Sequence, residues 1–99
     1  MVSELRFDWD TRKEADNQRK HGISFEEAEG VFSDEYALLR DDPDHSDEEP
    51  RYVLMGLSPR LRILVVVHVH HEAEDVIRII SARKANRQER AIYNRRWQK

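Results

Sequence analysis

The sequence predicts an α+β fold: two N-terminal helices, an antiparallel β-sheet of three to four strands, and a C-terminal helix. Three observations lead there. Two helix starts are spelled out in the first third; the hydrophobic period changes to two after a proline-bounded acidic segment; and a capped, basic helix closes the chain.

Thr11 with Glu14, and Ser24 with Glu27, fit capping boxes, in which a hydroxyl accepts from a third-residue amide and a carboxylate returns to the cap amide. The first helix should run from about Arg12 to His21 and stop at Gly22, a residue able to take the left-handed conformation. The second should cover roughly Phe25 to Phe32, with Phe25, Ala28, Val31 and Phe32 on one face. Tyr36 to Arg40 could form an early strand. The segment 41–50 (DDPDHSDEEP) has two prolines and no apolar residue, so a mobile acidic loop is expected there. Its acids are spaced somewhat like a calcium loop but lack the turning glycine, so no metal is assigned to it. Arg51–Ser58, Leu61–His70 and Val76–Ser81 are rich in β-branched residues and joined by hairpin-length connections, which predicts a meander. Asn86 to Arg96 closes the chain as a helix, with Asn86 as cap and Glu89 three residues later. One face of the sheet must bury against helices.

Ninety-nine residues are expected to form a single domain over 1–99 with a small core. The absence of cysteine excludes disulfide frameworks, thiolate zinc sites and cysteine nucleophiles. No run of about 18 apolar residues occurs and the start is acidic, so a soluble, cytoplasmic protein with no membrane association is expected. The net charge of −3 conceals two opposite halves. Residues 1–50 carry 6 Lys+Arg against 16 Asp+Glu, and residues 51–99 carry 11 against 4. The basic half could face a polyanion, or the two halves could simply pair with each other.

Candidate chemistry lies where polar residues interrupt apolar patterns. Lys20 and His21 close the first helix, where the macrodipole favours a cation and a histidine titrating near neutrality can move protons; they could equally just complement the helix end. Arg78 interrupts an apolar strand and Arg83 follows at its end; guanidinium groups so placed can hold a phosphate. Strict alternation puts these two arginines on opposite faces, so they reach one site only if the strand bends or ends after Ser81. Arg78 could instead pair with Glu72 or Glu74. His68 and His70 alternate onto one face with Arg62, Leu64 and Val66. They could bind zinc with a third ligand such as His45, although a polar outer strand face explains them more simply.

Taken together, the strings FDWD (7–10), NQRKHGISFEEA (17–28), VFSD (31–34), RYVLMG (51–56) and RIISARKA (78–85), with Glu89, Arg90 and Tyr93, resemble the BrnT family. The resemblance implies a RelE-like fold and a toxin of a type II toxin–antitoxin system. The activity implied is an endoribonuclease that needs neither metal nor other cofactor, cleaves RNA and inhibits translation. It also implies a cognate BrnA-type antitoxin that forms a hetero-oligomer with the chain and carries the DNA contacts, since the chain itself shows no DNA-binding pattern. The catalytic positions so implied are Lys20, His21, Arg78 and Arg83, with Arg51, Arg87 and Arg90 as RNA contacts. The alternative is a weakly or non-catalytic antitoxin-binding partner in an autoregulatory complex.

Overall fold

The computed structural model describes residues 5–42 and 49–97. Along the chain run β1 (Arg6–Asp8), α1 (Thr11–His21), α2 (Phe25–Gly30) with a following 3-10 turn (Val31–Ser33), and β2 (Leu38–Asp41). Then come β3 (Tyr52–Leu57), β4 (Ile63–His71), a 3-10 turn (Glu72–Glu74), β5 (Val76–Lys84) and α3 (Arg87–Trp97). Most of the expected acidic loop, residues 43–48, and the candidate zinc ligand His45 lie outside the described residues.

The helix–sheet–helix order agrees with expectation, but the sheet does not. Among the described residues it has five strands in the order β1-β5-β4-β3-β2, and it is mixed, because β1 lies parallel to β5 while the other neighbours are antiparallel. β1 is only three residues long, too short to show a period of two. It joins the sheet because Phe7 enters the core beside Phe32, ring centroids 5.1 Å apart, while Arg6 and Asp8 face water.

The helix starts need one correction. Asp10, not Thr11, caps α1: its carboxylate accepts from the amides of Arg12 (2.8 Å) and Lys13 (3.2 Å), a charge-assisted arrangement stronger than a hydroxyl cap. Those two amides hold the Asp10 carboxyl below its ordinary pKa. Glu14 is thereby released and accepts from the Phe25 amide at 3.1 Å, tying the start of α2 to α1. Gly22 ends α1 at φ 70°, donating its amide to the Gln18 carbonyl at 2.9 Å. Ser24 caps α2 as expected, accepting from the Glu27 amide at 3.1 Å. The Glu27 carboxylate does not return to the cap, however. It is buried, and accepts from the Ser58 hydroxyl (2.7 Å) and from the Arg62 guanidinium.

α1 and α2 cover one sheet face. Ile23, Phe25, Ala28 and Val31 meet Leu54, Leu64, Val66, Ile77, Ile79 and Ala82 there, and Trp9 packs edge-on against Phe25. Each fully buried aliphatic or aromatic side chain contributes about 1.5–3 kcal/mol. His68 belongs to this face, which overturns the expectation of a polar outer surface. It is 3% exposed, with its ring edge-on to Phe32 at 4.8 Å and near Tyr52. Burial drives its pKa down to about 4, so it sits in the core as a neutral ring.

α1 itself has almost nothing apolar to bury: Ala15 is its one apolar residue, and Asn17 is its buried one. Asn17 fixes the helix by hydrogen bonds instead. Beyond β1 the edge of β5 is open, and the Asn17 side chain accepts from the Ala82 amide (3.0 Å) and donates to the Ala82 carbonyl (2.8 Å), much as a neighbouring strand would. It also donates to the Ile23 carbonyl at 3.0 Å, which closes the α1–α2 turn.

Candidate active site

The two strand arginines share a face, and a β-bulge is the reason. Val67 of β4 pairs with Ser81 and the next residue, His68, pairs with Ile79, so Ile80 is an extra residue in β5. Alternation restarts after it. Ile77 and Ile79 point into the helix-covered core before the bulge and Ala82 does so after it. Arg78, opposite Val69, and Arg83, opposite Val65, therefore both lie on the face away from α1 and α2. The bulge also carries β5 on to Lys84, three residues past the expected end.

Each arginine is held by a carboxylate. Arg78 donates from Nη1 to Asp8 Oδ1 at 3.2 Å across the parallel pairing with β1, not to Glu72 or Glu74. Arg83 places its whole fork on Glu89, Nη1 to Oε1 at 2.8 Å and Nη2 to Oε2 at 2.9 Å. That bond is the main reason the Glu89 carboxyl falls to about 2, and it raises the pKa of Arg83. Glu89 is fixed from behind by the capping box expected of α3: it accepts from the Asn86 amide (2.8 Å), and Asn86 Oδ1 accepts from the Glu89 amide (2.9 Å). Both arginine side chains are 41% exposed.

Lys20 and His21 are exposed on the last turn of α1. The helix begins just past β1, beside Arg78, and reaches Ala82 at Asn17, so it runs along β5 in the same direction. Its last turn consequently falls at the Arg83–Lys84 end of β5. Arg78 and Arg83 are five residues apart, roughly 15 Å along the strand. Lys20 and His21 thus lie toward the same end of β5 as Arg83, with the Arg83 side chain on the face turned away from α1, and Arg78 lies toward the other end.

The expected RNA contacts are distributed around the same side. Arg51 precedes β3 in alternation with Val53, which faces away from α1 and α2, and its carbonyl accepts from the Asp42 amide at 2.8 Å. Arg87 and Arg90 are exposed at the start of α3, and Arg90 donates to the Ala85 carbonyl at 2.9 Å. α3 is held to the sheet by Tyr93, which is buried and donates to Asp34 Oδ2 at 2.6 Å. Burial of Asp34 pushes its pKa upward, but the Leu57 amide, the Tyr93 hydroxyl and the Tyr36 amide outweigh it and keep the carboxyl below its usual range.

Among the described residues no group of three or more His, Cys, Asp or Glu side chains could hold a metal ion. His68 is enclosed by the core, and His70 lies near Asp75 at 3.9 Å. Sequence reasoning missed the roles of Asp8, Asn17 and the Arg83–Glu89 clamp. An asparagine in mid-helix on an otherwise charged helix was the one available signal.

The fold has a solved counterpart. The structure is similar to the crystal structure of the Brucella abortus ribonuclease toxin BrnT, with a TM-score of 0.62 and 24% sequence identity over 85% of this chain and 100% of that one. A comparison with curated protein sequences returns no match. The sequence model of one family, described as the ribonuclease toxin BrnT of a type II toxin–antitoxin system, matches residues 9–89. That span takes in α1, the sheet apart from β1, and the Glu89 clamp on Arg83, and the chain accordingly belongs to the BrnT family of ribonuclease toxins.

Proposed function

We propose that this chain is a cytoplasmic, RelE-like endoribonuclease that cuts RNA by 2′-hydroxyl attack without a metal or other cofactor, and so inhibits translation. The observation that supports the reading is the bulge in β5, which brings Arg78 and Arg83 onto one face of the sheet, with Lys20 and His21 on the last turn of α1 toward the Arg83 end of the strand. In the proposed reaction His21 accepts the 2′-hydroxyl proton, the 2′-oxygen bonds to phosphorus, and the bond to the 5′-oxygen breaks. Lys20 supplies a proton at the departing 5′-oxygen, and the product carries a 2′,3′-cyclic phosphate. Arg83 neutralises the charge that builds on the phosphoryl oxygens, while Arg78, roughly 15 Å away, takes a flanking phosphate. Arg51, Arg87 and Arg90 extend the electrostatic grip along the strand of RNA. A BrnA-type antitoxin silences the enzyme, and any DNA contact of the hetero-oligomer belongs to that partner.

A second reading has a specific observation in its favour. The Arg83 fork is fully engaged by Glu89, so a phosphate must displace the carboxylate or share the guanidinium with it. A chain in which that exchange never happens is a binding partner with little catalysis. Alanine replacement of Lys20, His21, Arg78 and Arg83 in turn, read by RNA cleavage and growth arrest with chelator present, separates the two. Cleavage that disappears in Arg83→Ala and His21→Ala supports the enzyme. No cleavage by the unmodified protein, with tight antitoxin binding, supports the partner, and cleavage that stops with chelator and returns with zinc contradicts the metal-free mechanism.

A further inference from the structure

An arginine carries five N–H donors, and the described neighbours of Arg83 take three of them. Nη1 donates one hydrogen to Glu89 Oε1 at 2.8 Å and the other to the Lys84 carbonyl at 3.3 Å. Nη2 donates one hydrogen to Glu89 Oε2 at 2.9 Å. The second Nη2 hydrogen and the Nε–H meet no acceptor among the described residues. These two lie side by side on the edge of the guanidinium away from Nη1, parallel and spaced for two oxygens of one phosphate. Nε is not among the buried polar atoms that lack a partner, so solvent reaches it.

We propose that Glu89 is a positioning residue: it holds the Nη1–Nη2 edge of Arg83 so that the free Nε–Nη2 edge receives the scissile phosphate of the RNA. The proposal rests on the reading of Arg83 as a residue of the ribonuclease reaction.

Glu89 can aim the guanidinium because it is itself held. Its Oε1 also accepts from the Asn86 amide at 2.8 Å, and its own amide donates to Asn86 Oδ1 at 2.9 Å. Ala85, buried just ahead of them, donates its amide to the Ile63 carbonyl at the start of β4 (2.9 Å). The first turn of α3 is thereby tied to the sheet, and Arg83 surrenders its rotamer freedom before RNA arrives rather than on binding it. Arg78 is held more loosely, by a single 3.2 Å bond from Nη1 to Asp8 among the described residues. The opposite role for Glu89 is a plug that keeps phosphate off the guanidinium, and the two roles differ in sign. Removing a plug raises the rate. Removing a positioning group lowers it, while the loss of one negative charge leaves RNA binding equal or tighter.

The test uses the full-length chain, a defined RNA and Glu89→Gln, which keeps an acceptor for the Asn86 amide but removes the charge and one of the two oxygens that meet the fork. The kcat should fall about 10- to 100-fold with KM unchanged or lower. In an Arg83→Ala background the same substitution should change kcat by less than about twofold, because its effect passes through the guanidinium, whereas a merely structural contribution would persist there. A rise in kcat, or an equal loss in both backgrounds, overturns the proposal. If Arg83→Ala cleaves at the full rate, the ribonuclease reading of Arg83 falls and takes the proposal with it. If Arg83→Ala is impaired but Glu89→Gln is not, the positioning role alone is refuted. A second readout needs no turnover: nuclear magnetic resonance of the Arg83 side-chain N–H groups with a 2′-O-methyl RNA, which lacks the nucleophile. The Nε–H signal should shift on binding while the Nη signals bonded to Glu89 stay in place; loss of those Nη signals in the complex identifies a plug and overturns the proposal.

Discussion

Replacing Asn17 with alanine removes three hydrogen bonds at a place where water cannot substitute. The groups left behind are the Ala82 amide, the Ala82 carbonyl and the Ile23 carbonyl, and both residues are 0% exposed. Each buried polar group without a partner costs about 1–3 kcal/mol, so the three together should cost about 3–5 kcal/mol once partial relaxation is allowed. That is a large share of the roughly 5–15 kcal/mol that holds a domain of this size, and α1 has no apolar stripe to compensate. The thermal midpoint should fall by about 15–30 °C. Asn17→Asp is the sharper variant: it keeps the acceptor for the Ala82 amide but turns an oxygen toward two carbonyls, so it should be no more stable than the alanine variant at pH 7. Urea unfolding gives the energies, and hydrogen exchange at the Ala82 amide reports the site. A loss below about 1 kcal/mol, or an Ala82 amide that stays protected in Asn17→Ala, would refute the view that this side chain serves as the missing strand.

Other consequences are equally specific. Arg83→Ala should lower the RNA cleavage rate by about 10²- to 10³-fold with circular dichroism unchanged, and Arg83→Lys should recover little of it, because an ammonium cannot reproduce the planar fork; full activity in either variant removes Arg83 from the reaction. His68 is neutral in the fold down to about pH 4 but takes up its proton near pH 6.5 when unfolded, so stability should decline as pH falls from 6.5 toward 4, by about 3 kcal/mol in all. In His68→Leu that part of the decline should be absent, as urea titrations at several pH values would reveal. Glu27→Ala should cost about 2–4 kcal/mol by stranding Arg62 and Ser58, and a double-mutant cycle with Arg62→Ala should give a coupling above about 1 kcal/mol.

The helices were legible because their ends are encoded locally. Ser24, Gly22 and the Asn86–Glu89 pair act within a few residues of themselves, and their neighbours cannot easily override them. The three long strands were legible from β-branched runs, although Leu61, in the turn at φ 64°, and Ile80, in the bulge, shift their limits. What escaped depends on partners distant in sequence. β1 is too short to carry a period, and its pairing with β5 spans some seventy residues. The face of His68 follows from parity with Leu64 and Val66, but a histidine in that row also suits a polar outer surface, and only the packing against Phe32 shows that the row is buried. The relation between Arg78 and Arg83 could be posed from sequence as a question of parity. The bulge that answers it arises from the pairing of β4 with β5, to which no single residue type points. Glu89 illustrates the same limit: its backward hydrogen bond to Asn86 is readable, whereas the two oxygens that also clamp Arg83 are not.

The most direct measurement is the chemistry of the cut ends. Purified chain, free of antitoxin and with EDTA present, is incubated with a defined RNA and the termini are identified by mass spectrometry. Attack by the neighbouring 2′-oxygen predicts 2′,3′-cyclic phosphate and 5′-hydroxyl ends, lost in His21→Ala and Arg83→Ala. Ends bearing 3′-hydroxyl and 5′-phosphate, or no cleavage unless a divalent metal is restored, would contradict it.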